Sequence, residues 1–363
     1  VCRKILQSRV AGRGDRRTGC VERVAKAGSQ VGKVVGLGVS KESPKPDTDD
    51  AVIAAGITPI SLTLVEADAA AAARAFGASF ERTGFAVVAD HGIDAALIAW
   101  ALRATREFFV LPESVKARYH LAGQGGARGL TPFGIETAKG ASTHDLKEFW
   151  HAGRDLPPGH PYRAVMPGNV WPDEVPAFRA AILALYAALD AAGARLLTAI
   201  ALHLGLAADF FADSVRDGNS VLRLLHYPPV APGTTGVRAG AHEDINVITL
   251  LLGADEAGLE LLGRDGVWRR VEAPPGTLVC NIGDMLARLT NDVLPSTTHR
   301  VANPAAARAG VARYSTPFFL HFRPDYLIRT LPGCVTPDRP DGYFAPITAD
   351  AFLQQRLHEI GLL

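Results

Sequence analysis

Residues 221–322 hold a series of short apolar runs: VLRLLHYPP (221–229), NVITLLL (246–252), GLELL (258–262), VWRRV (267–271), TLVCNI (277–282), THRVAN (298–303) and RYSTPFFLHF (313–322). Turn-forming residues separate them, at Pro228–Pro229, Arg264-Asp265-Gly266 and Pro274-Pro275-Gly276. Asp-Gly between two apolar runs is a hairpin signal, because it tolerates the left-handed backbone of a tight turn. Many short strands at this spacing predict a sandwich or barrel rather than a parallel α/β sheet.

Upstream, the texture is helical. Residues 66–80 (EADAAAAARAFGASF) are Ala-rich and predict a helix. GFAVVAD (84–90) predicts a strand and turn, 93–108 an amphipathic helix, and 112–120 a short helix with Pro112 near its start. Residues 122–145 are Gly- and Thr-rich and aperiodic, which predicts a long loop, and 146–153 predict a strand. Residues 175–205 predict a long helix, apolar on most of its surface, against which a sheet packs. The C-terminal ADAFLQQRLHEIGLL returns to helical spacing. The expected class is α+β with a mainly β core. One domain is expected over 53–363: an N-terminal helical and strand region (53–215), a β core (216–325), and a C-terminal region with a closing helix (326–363).

Residues 1–50 carry 11 Lys/Arg against 6 Asp/Glu and show no sustained apolar period. They end in the polar, Pro-containing KESPKPDTDD. Residues 1–52 are therefore expected to be a disordered extension, or translation from a start placed too far upstream. Across the 363 residues, 48% apolar and 21% charged content excludes a disordered or coiled-coil protein. A net charge of +1 offers no global attraction to nucleic acid or anionic membrane, and no run of 18 apolar residues exists. Cys2, Cys20, Cys280 and Cys334 lie far apart, without a CxxC pair. That argues against a zinc knuckle or disulfide framework and for a reducing cytoplasm. The expected partner is a small molecule, with no nucleic acid and no membrane, and the chain a monomer or weak homo-oligomer.

His242 and Asp244 lie two apart, which in an extended segment puts both side chains on one face. His299 lies on a later strand. Two histidines and a carboxylate leave coordination positions open, a set suited to non-haem Fe(II) that must bind O2 and an organic ligand. The plain alternatives are a solvated turn at 240–244 and a sheet-edge histidine at 299. Arg313 and Ser315 are again two apart, fourteen residues beyond His299. An Arg inside an apolar run needs an anionic partner, and its fork matches a carboxylate. A structural salt bridge is the alternative. Tyr227 offers a phenol to the same anion, or serves as a core tyrosine.

AHEDINVITLLL (241–252), LVCNIGDMLARLTNDVLPSTTHRV (278–301) and RYSTPFF (313–319), in that order, resemble the Fe(II)- and 2-oxoglutarate-dependent dioxygenase superfamily. The isopenicillin N synthase-like branch fits best. FERTGFAVVADHGID (80–94) resembles that branch's N-terminal region, and RGLTPFGIETAKG (128–140) its loop before the core. The resemblance runs from about Ile57 to Leu363. It implies a double-stranded β-helix, or jelly roll, flanked by N-terminal helices and one long central helix. It implies His242, Asp244 and His299 as iron ligands, and Arg313 and Ser315, assisted by Tyr227, on the distal carboxylate of 2-oxoglutarate. O2 would oxidise a small organic substrate by hydroxylation, desaturation or cyclisation, with release of succinate and CO2. Phe319 matches a position where relatives place a ring near the substrate. Arg128, Phe133, Trp150 and His151 are further candidates for the pocket wall. Leu225 departs from the pattern, since plant relatives place Asn there. Two other readings follow from the same ligands: an oxidase of this branch that does not use 2-oxoglutarate, and a redox-inert zinc hydrolase or sensor.

Overall fold

The computed structural model describes residues 53–123, 126–135, 145–229, 238–252, 258–303 and 310–359. The expected extension over 1–52, residues 136–144 of the Gly- and Thr-rich stretch, and the last residues of the closing helix lie outside them. In chain order the elements are β1 (Ile53–Ala54), β2 (Ile60–Ser61), α1 (Leu64–Ala67), α2 (Ala69–Thr83), β3 (Phe85–Ala89), α3 (Ala95–Phe109), α4 (Glu113–Lys116), β4 (Gly129–Thr131), β5 (Glu148–Gly153), α5 (Phe178–His203) and α6 (Ala212–Arg216). There follow β6 (Val221–Tyr227), β7 (Ala239–His242), β8 (Ile248–Leu252), β9 (Leu259–Leu262), β10 (Trp268–Arg270), β11 (Leu278–Ile282), α7 (Asp284–Leu289), β12 (His299–Val301), β13 (Arg313–Leu320), β14 (Leu327–Ile328), β15 (Ile347–Thr348) and α8 (Ala349–Glu359). The fold is thus mixed α and β.

Two departures from the sequence-based expectation have local causes. The helix expected over 66–80 is broken at Asp68, whose side chain accepts the Ala71 N–H at 2.9 Å and caps α2. Gly84 then ends α2 in the left-handed conformation, donating its N–H to the Phe80 carbonyl. The stretch expected to be a loop over 122–145 contains β4, which pairs antiparallel with β5.

A large sheet runs β2-β3-β11-β8-β13-β6-β5-β4, and a small one β1-β10-β9-β12-β7. Between β6 and β13 the strands divide themselves between the sheets: β6, β8, β11 and β13 lie in the large one, β7, β9, β10 and β12 in the small one. The β9–β10 hairpin turns at Gly266 (φ +79), with Asp265 Oδ1 accepting the Val267 N–H at 3.2 Å.

Period-2 alternation gives the large sheet two jobs. One face, with Trp150, Leu222, Leu224, Leu250, Phe318 and Leu320, packs with α2, α3 and α5 into the main core. Helix α5 is long and apolar enough by composition to cross a membrane, yet its buried residues are part of this core. Gly193 marks a close approach of α5 to the sheet: a Cβ there would lie 2.5 Å from Leu320 Cδ1. The other face meets the small sheet, with Phe85, Val87 and Val279 packed on Leu261 and Val271. Buried Lys116 fastens α4 to β5, donating to both Glu148 oxygens at 2.9 Å. The next residue of β5, Phe149, therefore points into the space between the sheets.

Candidate active site

The antiparallel register of β12 and β7 sets His299 directly opposite His242. Their ring centroids are 4.4 Å apart. Asp244 lies two residues beyond the end of β7, not within an extended strand as the spacing suggested, and it is buried. His242 Nε2 lies 3.8 Å from Asp244 Oδ1, and His299 Nε2 lies 3.8 Å from Asp244 Oδ2. One ligand atom from each of the three falls within 4.8 Å of the others.

The surroundings prepare these side chains to hold a cation. His242 Nδ1 faces the Gly240 carbonyl at 2.8 Å, and His299 Nδ1 the Thr297 carbonyl at 3.0 Å. A carbonyl only accepts, so Nδ1 carries the proton and Nε2 presents its lone pair. The packed surroundings of His242, whose side chain is itself 41% exposed, and the neighbouring His299 lower the pKa of its imidazole, which favours the neutral form. Burial alone would raise the Asp244 carboxyl. The two imidazoles and two hydrogen bonds outweigh it and hold the group below its ordinary range. Those bonds come from Thr249 Oγ1 at 2.5 Å and Asn281 Nδ2 at 2.8 Å, both to Oδ2. Two neutral nitrogens and one anchored carboxylate are a donor set that fits Fe(II).

Arg313 and Ser315 on β13 are buried and share the inter-sheet face. Register places Arg313 opposite Tyr227 and Ser315 opposite Leu225. The Arg313 guanidinium lies 5.0 Å from the centre of the Tyr227 ring, and buried Arg238 lies 5.8 Å from it. A cavity of about 550 Å³ reaches Arg313; Leu251 and Val279 line it, and the segment around Ala54, Ile57 and Pro59 walls it. Two buried guanidinium groups flank one phenol, and their donors match a carboxylate.

The other candidates divide. His151 and Phe319 lie on the inter-sheet face, and Phe319 is in register with Thr249, the residue that holds Asp244. Arg128 is buried beside Gly153. Phe133 is half exposed, beyond the end of β4. Trp150 points the other way, its ring 4.8 Å from Phe108 and 5.2 Å from Phe178 among the helices. Sequence reasoning missed Thr249, Asn281, Arg223 and Arg238. The first three are polar residues at inward positions of apolar runs, the same signal that singled out Arg313.

Two family descriptions match the chain: non-haem dioxygenase in morphine synthesis, N-terminal, over residues 57–174, and 2OG-Fe(II) oxygenase superfamily over residues 218–322. A 2-oxoglutarate-Fe(II) type oxidoreductase of Aspergillus fumigatus is 32% identical over 68% of this chain and 75% of its own length. Among solved structures, a protein of Caulobacter crescentus described as of the 2OG-Fe(II) oxygenase family is 59% identical. It superposes with a TM-score of 0.80 over 84% of this chain and 99% of that one. A full-length Neurospora crassa protein, solved in complex with alpha-KG, is 28% identical with a TM-score of 0.74, covering 83% of this chain and 96% of its own. The chain belongs to the 2OG-Fe(II) oxygenase superfamily. It is a 2-oxoglutarate-dependent oxidoreductase, with iron as its metal and 2-oxoglutarate as co-substrate.

Proposed function

We propose that this enzyme oxidises a small organic substrate with O2, most simply by hydroxylation, and releases succinate and CO2. The interleaved strands β6 to β13 are read as a double-stranded β-helix, or jelly roll, of the isopenicillin N synthase-like branch, within one domain over 53–363. The observation that carries the proposal is the register of His299 opposite His242, with the Asp244 carboxylate within 3.8 Å of both imidazoles. His242, Asp244 and His299 would hold the iron. Arg313, Ser315 and Tyr227 would hold the distal carboxylate of 2-oxoglutarate. When bound, the iron couples oxidative decarboxylation of 2-oxoglutarate by O2 to oxidation of a substrate C–H bond.

The chain's own contribution is placement. The His Nδ1 bonds to carbonyls fix both rings, and Thr249 and Asn281 fix the carboxylate. The free thiols of Cys280 and Cys334 are buried, which supports a reducing compartment such as the cytoplasm. The test is anaerobic addition of Fe(II) and 2-oxoglutarate to the purified protein. A weak visible charge-transfer band is expected, because the keto acid chelates the iron. No band, together with oxygen uptake that is indifferent to 2-oxoglutarate, would favour the oxidase that dispenses with it. A metabolite screen following succinate release then identifies the substrate.

A further inference from the structure

A second group of basic side chains lies on the inter-sheet face of the large sheet, away from Arg313. Arg223 alternates with Leu222 and Leu224, which face the helices, so it points between the sheets. Its guanidinium carbon lies 4.1 Å from the centre of the Phe149 ring and 5.2 Å from that of Phe319. Arg223 Nε donates to His151 Nε2 at 2.6 Å. His151 Nδ1 in turn lies 2.6 Å from the Gly126 carbonyl, so it carries the proton and leaves Nε2 as acceptor. The guanidinium is thus stacked between two rings and locked in rotation, as a fork that must present its plane to a ligand is.

One step further along the same face sits Arg128. Register pairs His151 with Arg223 and Gly153 with Val221. The Arg128 guanidinium occupies the space over Gly153, where a Cβ would come within 2.0 Å of it. Arg128 is 2% exposed. Nη1 donates to the Ala127 carbonyl at 2.7 Å, while Nε and Nη2 have no partner among the described residues. The charge of Asp155 acts on this guanidinium, but two buried donors without a hydrogen bond remain costly unless an anion meets them.

The distance to the iron ligands fits a small molecule. Phe319 is in register with Thr249, which bonds Asp244. Arg223 lies one strand beyond Phe319 and, because Phe319 is in register with Val221, two residues along it, so roughly 12 Å separates it from Thr249. Phe319 lies between the two strands, and Phe149 and Leu225 flank Arg223 on the same face, which favours an apolar or aromatic body.

We propose that Arg128 and Arg223, the latter held by His151, form a carboxylate subsite for the primary substrate, which is therefore an organic acid with an apolar or aromatic body. This rests on the oxygenase reading above: the acid anchors its carboxylate at the two arginines and turns its other end toward His242, Asp244 and His299. Arg313 is occupied by 2-oxoglutarate, so the two carboxylates do not compete.

The experiment uses the full chain, held anaerobically with Fe(II) and saturating 2-oxoglutarate. Binding is read by calorimetry and by perturbation of the visible band. The probes are hexanoate, phenylacetate and 3-phenylpropanoate, each beside its primary amide, with phenyl phosphate as a further arm. At least one acid is expected to bind more tightly than its amide by about tenfold or more. Arg223→Leu and Arg128→Leu should each erase that preference and leave the band of the bound keto acid unchanged. Gly153→Ala, which fills the space of the Arg128 guanidinium without removing its charge, should weaken acid binding in the same direction. It keeps the test decisive if a leucine variant fails to fold. Equal binding of every acid and its amide, preference for phenyl phosphate over all three acids, or an acid preference that survives the substitutions would overturn the proposal. Failure of the oxygenase reading looks different: the wild type then gives no band with Fe(II) and 2-oxoglutarate, whatever the acids do.

Discussion

At Asp244 the two carboxylate oxygens have different tasks. Oδ2 accepts from Thr249 and Asn281, so Oδ1 would be the oxygen best placed to hold the metal. Asp244→Ala should abolish iron binding and turnover while the fold persists, because apolar burial holds the sheets. Asn281→Ala keeps the ligand but leaves its carboxylate anchored by Thr249 alone, and a lost outer partner of this kind lowers metal affinity roughly 10- to 100-fold. Iron titration of the three proteins checks both, and wild-type affinity in either variant would contradict the assignment. Arg313→Leu should raise the apparent constant for 2-oxoglutarate at least about tenfold, with iron binding intact, since a charge-assisted contact to a buried carboxylate is lost. Oxygen uptake against 2-oxoglutarate concentration measures it. His321 gives a pH signature of its own. It is buried, and burial pulls its pKa down to about 4, against the carbonyl of Phe319 and the charge of Asp244. In the unfolded chain the imidazole titrates near its usual ~6.5. Between those values the unfolded chain holds the extra proton, so this stabilisation is complete above about pH 6.5 and is lost as the pH falls toward 4. The loss is on the order of 3 kcal/mol. Urea midpoints at neutral and acid pH should therefore diverge less in His321→Gln than in the wild type.

Among the elements, α5 and the sheet it carries are spaced by Gly193. A leucine there must displace Leu320 and Leu250, and overpacking of this kind costs about 1–3 kcal/mol. Gly193→Ala meets only the tip of Leu320, and the gain in helix propensity, about 1 kcal/mol, offsets much of that contact. Denaturant titration should thus find the alanine variant near wild type and the leucine variant clearly weaker. The legibility of elements follows the same physics. β6, β8, β11 and β13 each have an apolar face toward α5, and that alternation is written in their residues. β1, β2 and β4 have two or three residues each, too few for any period, and exist because a partner strand accepts their backbone. The metal set was legible because β12 and β7 bring together residues that already looked like ligands. Arg223 was not singled out, although it obeys the same rule as Arg313, because no neighbouring Ser or Tyr drew attention to it. Asp244 lies together with His242 and His299 but beyond the end of β7, since a pattern two residues long does not show where pairing stops.

For the molecule as a whole, the N-terminal boundary decides what a shortened chain retains. Residues 1–50 show no sustained apolar period in their sequence. Their removal should leave melting temperature and turnover nearly unchanged. Removal through Pro59 is a different matter. It takes away β1, which pairs in parallel with β10, and the residues that wall the cavity reaching Arg313. The longer deletion should raise the apparent constant for 2-oxoglutarate and lower the melting temperature, and a comparison of the two truncations by calorimetry and oxygen uptake separates the cases.

The pairing of His299 with His242 joins segments that are 57 residues apart in the chain. No local stretch can present all three ligands, so the ion has little to hold until β12 has closed onto β7. A metal that binds only after that closure adds nothing to the rate at which the chain collapses. Its whole effect falls on the reverse step, where the strands cannot part until the ion has left. Iron held by these three residues would therefore work as a late clamp, and the loaded molecule is expected to outlive the bare one chiefly by opening more slowly.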